Sequence, residues 1–273
     1  MESKNLVSVV IATLNSAGTL QRCLASVLGQ SYQRREIVLV DGGSTDGTVE
    51  IIRGNAHGIA RWVSEPDRGL YHAWNKGVRA AKGEWITFLG ADDELADPGA
   101  LQALVEGAGG ARVVYGRLRL ISARGEQAGI VGAPWREARA DLLQGFMLPQ
   151  PGTLHHRTLF EEHGEFDESY RIAGDYEFLL RELIRRDAAF VDRIVVHFRL
   201  GGMSSRPSSI RMGLQEVARA RRKHGLPPSA RLTRTLLASA LGDAVYRLAG
   251  ARAFNALADL YRSLRGKPPL WTR

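Results

Sequence analysis

Along the first 120 residues, short and nearly unbroken apolar runs alternate with stretches whose apolar residues recur every three or four positions. Val7–Ala12, Glu36–Val40 and Trp85–Leu89 belong to the first kind. They are rich in β-branched residues and too short for buried helices, so they predict strands covered on both faces. Ala60–Ser64 and Arg112–Ile121 predict two more. Leu20, Cys23, Leu24, Val27 and Leu28 keep helical spacing after a capping Asn15 or Ser16. Further helices are predicted from Thr45 or Asp46 through Ile52, over Tyr71–Ala81, and from Pro98 through Leu101, Leu104 and Val105. Such alternation predicts βαβ units, hence an α/β fold whose mostly parallel sheet is flanked by helices. Ligands bind such sheets beyond the C-terminal strand ends. Thr13 and Asn15, Asp41, Glu65 with Asp67 and Arg68, and Asp92 with Asp93 should therefore gather on one edge.

After Ile121 the alternation fades. Ser122–Ala133 reads as a Gly/Ala-rich connection, and Asp141–Phe146 and Thr158–His163 as short helices. Asp175–Arg186 is a clear amphipathic helix, Phe190–Val196 a strand, and Leu200–Pro207 a loop. The rest is helical, broken at Gly225–Pro228.

Composition adds limits. Hydrophobic residues make up 44% of the 273 and charged residues 24%, as in ordinary globular proteins. The single cysteine, Cys23, excludes an intrachain disulfide and any cysteine-cluster metal site, and its place in an apolar helical pattern predicts a buried thiol. The start lacks the basic and apolar regions of a signal peptide, and no segment approaches the roughly 18 uncharged apolar residues of a membrane span. A cytoplasmic protein is expected. The net charge of +8 is unevenly placed: residues 206–273 hold 14 Lys/Arg against 3 Asp/Glu, whereas residues 1–205 are net negative.

Three stretches can carry chemistry. VDGGSTDGTVE, Val40–Glu50, resembles a phosphate loop, but Thr48 stands where that loop needs lysine. Asp41 at a strand end can instead accept hydrogen bonds from a base or ribose, or with Ser44 shape a turn; Asp46 reads as a helix cap. The second stretch, WITFLGADDELADP, drives a buried strand into two adjacent carboxylates. These suit a hard cation, Mg²⁺ or Mn²⁺, or else a helix cap. In the third, IAGDYEFLLREL, Asp175 begins a helix and can act as a general base or an N-cap. Glu177, two residues on, does not share its face.

Taken together, VSVVIATLN, VDGGSTDGT, EPDRGLYHAWNKG, FLGADDE, PGTLHHRTLFEEHGEFDE, AGDYEFLLR and LGGMSS resemble the family 2 glycosyltransferases, inverting enzymes of the GT-A fold, over roughly residues 6–205. The likeness is strongest to bacterial members that build exopolysaccharide, capsule or lipopolysaccharide. It implies a glycosyltransferase domain over residues 1–205 and a basic helical extension over 206–273. It also implies that Thr13, Asn15, Asp41, Asp67, Arg68 and Asp92 bind the nucleotide of a nucleotide-diphospho-sugar, most often a UDP-sugar. Asp92 and Asp93 would hold Mn²⁺ or Mg²⁺ on the diphosphate, and Asp175 would be the general base. The acceptor implied is a glycan or a lipid-linked saccharide. Gly90 departs from the family's first metal-region aspartate. His72 and Trp74 depart from its usual aspartate and smaller apolar residue, which bears on donor choice.

Other readings stay open. A sugar nucleotidyltransferase would want a basic glycine-rich loop after the first strand, and ATLNSAG has none. A non-catalytic nucleotide-sugar-binding or scaffolding protein is the other alternative. His155, His156 and His163 match no zinc spacing and are expected to be structural; His197 could approach the diphosphate. The tail keeps helical apolar spacing from Leu236 to Leu264, with Arg-Ala-Arg-Arg-Lys at 219–223. It reads as a cap on the core or as an anionic-membrane-surface element, with nucleic acid not expected.

Overall fold

The computed structural model describes residues 5–122, 124–202 and 207–263. Strands β1 (Val7–Thr13), β2 (Arg35–Asp41), β3 (Arg61–Ser64) and β4 (Trp85–Gly90) pair in the order β3-β2-β1-β4, all parallel. Helices α1 (Leu20–Leu28), α2 (Thr48–Gly54) and α3 (Leu70–Ala80) make the crossovers. Each apolar run serves two cores. On β1, Val9 and Ile11 pack with Leu20, Leu24 and Val27 of α1, while Val10 packs with Tyr71, Trp74 and Val78 of α3. This two-sided burial is why the strands read as continuous rather than alternating.

Beyond β4 the sheet turns mixed. β5 (Glu94–Leu95) leads to α4 (Ala100–Glu106) and then β6 (Val113–Ile121) and β7 (Gln127–Val131). After α5 (Trp135–Gln144) come β8 (Leu154–His156), α6 (Thr158–His163), α7 (Gly174–Leu183) and β9 (Ala189–Arg199). β8 is antiparallel to both β4 and β6, β9 is parallel to β6, and β5 closes the edge antiparallel to β9. The mostly parallel sheet expected from the sequence is therefore all parallel in its first half and mixed in its second, where β6 and β9 are parallel and β5, β7 and β8 run antiparallel to their partners. The connection expected over Ser122–Ala133 contains β7, which pairs with β6 as a hairpin.

The expected break at Gly225–Pro228 separates α8 (Pro207–Lys223) from α9 (Ala230–Ser263), which kinks at Gly250 (φ 79°). α8 is fused to the core through Val217 and Ala220, and the first turn of α9 adds Leu232. Further along α9, Leu237, Leu241, Leu248 and Leu260 are exposed. No described helix is long and apolar enough to cross a membrane. Part of the loop expected over Leu200–Pro207, and Leu264 of the tail, lie outside the described residues.

Candidate active site

A cleft of about 990 Å³ opens at the C-terminal ends of β1 and β4, and Asn15, Asp92, Asp93 and Asp175 all line it. Thr13, Asp41, Asp67 and Arg68 do not line this cleft; Thr13, Asp41 and Asp67 meet at the neighbouring loop after β2, whereas Arg68 turns towards Glu168.

That loop is built by Asp41. It is fully buried, and its Oδ2 accepts from the Gly43 and Ser44 N–H groups (3.1 and 2.9 Å) and from the Ser64 hydroxyl (2.6 Å), while the Ser44 hydroxyl donates to Oδ1. The carboxylate thus shapes its own turn, and a base or ribose would have to replace one of these hydroxyl donors. Asp46 ties the first two loops together, accepting from Ala17 N–H and from the Thr48 N–H and hydroxyl, as expected of a cap. Asn15, in left-handed geometry (φ 50°), accepts the Thr45 N–H on its Oδ1 at 2.9 Å, and its own N–H donates to Ser44 Oγ at 2.7 Å. Thr13 is buried, and its hydroxyl has no partner among the described residues.

Asp67 lies against this loop: a Cβ on Gly42 would stand 3.4 Å from its Oδ2. Lys76 neutralises it at 2.7 Å. His72 Nδ1 also comes within 3.1 Å, but that nitrogen accepts the Arg68 N–H, so it presents a lone pair and not a proton. The Arg68 side chain is mostly exposed and pairs with Glu168 at 2.6 Å.

The acidic pair sits where β4 ends. Asp93 is buried, its Oδ1 accepts the Arg199 N–H at 3.0 Å, and the Arg199 guanidinium is engaged by Glu94 at 3.0 Å. Burial first, and then the Asp92 charge, push the Asp93 carboxyl well above the usual carboxylate range. Asp92 Oδ1 and Asp93 Oδ2 both converge on Gly90: a Cβ there would stand 2.8 and 2.9 Å from them. Glycine at position 90 therefore keeps open the space between two carboxylates. Two oxygen donors converging on one space, one of them buried beside a like charge, fit a hard divalent cation that takes its remaining ligands from water and phosphate. No group of three His, Cys, Asp or Glu side chains suited to a metal exists among the described residues, so the pair would act without a third protein carboxylate.

Asp175 opens α7 with 5% of its surface exposed. Its Oδ1 accepts from the Tyr71 hydroxyl (3.1 Å) and the Tyr176 N–H (2.9 Å). Burial raises its carboxyl to about 6, against the opposing pull of these bonds. Gly174 is required beside it, because a Cβ there would stand 2.7 Å from the Tyr71 ring. Glu177 points elsewhere, as the helical spacing implied: it is bound by Arg181, Lys223 and His224.

One contributor to the site escaped the sequence reading. Glu216 of α8 accepts three consecutive N–H groups, from Arg171, Ile172 and Ala173, at 2.8–2.9 Å. The Ile172 carbonyl lies 2.8 Å from the Tyr71 hydroxyl and shares its single proton with Asp175 Oδ1 at 3.1 Å. A lone glutamate in a basic helix gives no sequence signal of this role.

The histidines are structural, as expected. His155 is fully buried among Phe88, Phe160 and Phe178, and burial lowers it to about 4. His156 packs on Trp85, and His163 pairs with Glu182 at 2.9 Å. His197 lies beside Arg119 and does not line the cleft, whereas its neighbour Phe198 does.

A model of the family described as glycosyl transferase family 2 matches residues 8–159, more than half of the chain. The chain belongs to that family. A Mycobacterium tuberculosis protein described as an uncharacterized glycosyltransferase is 30% identical over 232 residues, covering 82% of this chain and 87% of its own. A PGL/p-HBAD biosynthesis glycosyltransferase of Mycobacterium bovis is 32% identical over 182 residues, 64% of this chain and 69% of that protein. Among solved structures, Staphylococcus aureus TarS residues 1–349 with UDP-GlcNAc superposes with a TM-score of 0.63 at 18% identity, over 94% of this chain and 77% of that one. The mannosyltransferase PcManGT of Pyrobaculum calidifontis, with GDP-Man and Mn²⁺, gives 0.61 at 20% identity, over 97% and 76%. The fold is that of the GT-A glycosyltransferases, and the chain is a glycosyltransferase.

Proposed function

We propose that this family 2 enzyme is an inverting, metal-dependent transferase that moves a sugar from a nucleotide-diphospho-sugar, a UDP-sugar first, to a glycan or lipid-linked saccharide acceptor in cell-surface polysaccharide synthesis. The observation that carries the reading is the pairing, in one cleft, of two converging carboxylates with a separate buried carboxyl raised to about 6. TarS with UDP-GlcNAc and PcManGT with GDP-Man and Mn²⁺ support the donor class by fold alone.

Asp92 and Asp93 would hold Mn²⁺ or Mg²⁺. When bound, such an ion stabilises the negative charge that develops on a departing diphosphate. The loop of Thr13, Asn15 and Asp41, with Asp67 and Arg68 beside it, would receive the nucleotide; the unpartnered Thr13 hydroxyl offers a donor and an acceptor there. Asp175 takes the proton of the acceptor hydroxyl as its oxygen attacks the anomeric carbon. The sugar–phosphate C–O bond breaks with its electron pair passing to the phosphate oxygen, and a single displacement inverts the centre. Tyr71 fixes the carboxylate orientation without supplying charge.

Leu118, Leu120, Val131, Met147, Leu148 and Phe198 line part of the same cleft. This apolar wall favours an acceptor with an apolar portion, hence the lipid-linked choice. The exposed leucines of α9, set among arginines, support docking on an anionic membrane surface, while α8 fills the capping role.

The test is thermal stabilisation by UDP and by GDP, each with Mn²⁺ and with EDTA. A ligand held by the folded state alone raises Tm by several degrees at saturating concentration. A Mn²⁺-dependent rise with UDP that vanishes in Asp92→Ala and Asp93→Ala is the expected result. A rise with GDP alone would change the base. No rise with either, from a folded sample, would overturn the donor-site reading.

A further inference from the structure

Two polar groups on the cleft wall are buried without partners. Gln150 is 6% exposed, and neither its Nε2 nor its Oε1 has a hydrogen-bond partner among the described residues. Trp74 is 7% exposed, and its Nε1–H is likewise unpartnered. Both line the cleft that contains Asp92, Asp93 and Asp175. Buried polar groups are nearly always satisfied, so two orphans on one cleft wall call for an occupant that supplies their partners.

Their positions are fixed by rigid neighbours. Trp74 lies one turn beyond Tyr71 on α3, and the two rings meet edge to face at 5.5 Å. The Trp74 indole also packs on Phe88 of β4 at 4.5 Å. Gln150 begins the turn Gln150-Pro151-Gly152-Thr153, closed by the Thr153 N–H on the Gln150 carbonyl at 3.1 Å, with Gly152 at φ 77° as a type II turn requires. The Gly152 N–H is held by the Phe88 carbonyl at 3.1 Å. The two orphans are therefore tied through Phe88 to the strand that delivers Asp92 and Asp93, and through Tyr71 to the carboxyl of Asp175. A sugar passing from a metal-held diphosphate to a hydroxyl at Asp175 must lie between those two ends.

We infer that Trp74 and Gln150 form the subsite that reads the hydroxyl pattern of the transferred sugar. The indole N–H can only donate, so it needs a hydroxyl or acyl oxygen. The amide donates and accepts, so it suits a hydroxyl that does both. This inference rests on the donor-site reading above.

The experiment measures, with Mn²⁺ and no acceptor, the affinity of UDP against UDP-glucose, UDP-galactose and UDP-N-acetylglucosamine, and of GDP against GDP-mannose. The protein is the full chain, compared with Gln150→Met and Trp74→Phe. Gln150→Met keeps the length of the side chain and removes its polar group; Trp74→Phe removes the N–H together with one ring, so its ligand-free melting temperature is measured beside its sugar gain to separate lost packing from the lost donor. The gain of the preferred nucleotide-sugar over its nucleotide should fall about fivefold to tenfold in each variant, as expected for a lost hydrogen bond. Nucleotide affinity should be unchanged. The ligand-free Gln150→Met protein should melt no lower than the parent, because an orphaned buried amide costs stability. An unchanged gain in both variants, or no sugar adding affinity in the parent, overturns the subsite and leaves the nucleotide site standing. A fall in one variant alone overturns the pair. A lower melting temperature for Gln150→Met with the sugar gain intact makes that side chain structural. Failure of both nucleotides to bind overturns the donor-site reading and this one with it.

Discussion

Asp93 and Asp175 line one cleft, and burial raises the proton affinity of both, yet the two are finished differently. Asp93 has a second carboxylate beside it, the nearby Arg199 guanidinium is engaged by Glu94, and the Arg199 backbone N–H donates to it. Among the described residues Arg199 acts on Asp93 but is shared with Glu94, and under the proposed function a bound cation would complete the arrangement. Asp175 has no second carboxylate converging on it, and the Glu216 charge is the least of the influences on it. It leans on a neutral phenol and a backbone N–H, and its carboxyl settles near 6. At neutral pH it is ionised but still a fair proton acceptor, as a general base needs to be. Under the proposed function the same desolvation would serve a metal site in one place and a general base in the other, and the immediate neighbours would decide which.

The largest expected effect is that of Asp175→Asn. The amide can still accept from Tyr71 but cannot take a proton, so turnover should fall about 10²–10⁴-fold. Mn²⁺-dependent stabilisation by the nucleotide should be retained, since the base plays no part in holding it. Asp93→Ala should do the reverse at the level of binding and lose the Mn²⁺-dependent rise in Tm. A variant pair that lost both properties together would dissolve the distinction between the two acids.

Next comes pH. The folded Asp175 carboxyl lies near 6, above its ordinary value of 3.8. The rate with saturating substrates should therefore fall about tenfold per pH unit below 6 and level off above it. The linkage to stability follows with a definite sign. The folded state holds this proton more tightly than the unfolded chain, so the associated stability is present below about 4 and is lost as pH rises through 6. Asp175→Asn should melt higher than the parent at pH 7.5 by more than it does at pH 4. Thermal melts of the two proteins across that range check it.

The two acids were also unequally legible. The β4 pair stands at the end of an apolar run, so WITFLGADDE announced both the strand and the carboxylates. Most of the parallel half of the sheet was readable for the same reason: β1, β2 and β4 are buried on both faces, and α1 and α3 carry full apolar faces, whereas the edge strand β3 is largely exposed and gave a weaker pattern. The mixed half was not. β5 and β8 are two and three residues long and owe their existence to their partners, and β7 hides in a polar, glycine-bearing hairpin. Asp175 was legible as a helix start, but its phenol partner lies 104 residues away, and its loop is held by a glutamate from α8. Trp74 and Gln150 gave no signal as orphans, because an unmet hydrogen bond is a property of three dimensions. For Asp41 the sequence offered ligand binding and turn formation together. The carboxylate makes the turn, and any nucleotide contact would be built upon it.

The smallest effect tests how far the setting of Asp175 depends on α8. Glu216 fixes Arg171, Ile172 and Ala173 by their N–H groups, and its charge adds to what raises the Asp175 carboxyl. Glu216→Gln keeps one acceptor oxygen and removes the charge. The loop should loosen, and the rate should fall by about threefold to tenfold, the cost of weakening one or two charge-assisted bonds away from the chemistry. The removed charge should also move the midpoint of the pH–rate profile to lower pH, because one of the forces opposing ionisation of Asp175 is gone. Nucleotide affinity should not change, since the Asp92–Asp93 pair hangs on β4 and β9 and not on α8. A slower enzyme with an unmoved midpoint would make Glu216 a loop clamp only. A lower midpoint with a modest rate loss would mean that the helix at the start of the basic tail tunes the base as well as holding it.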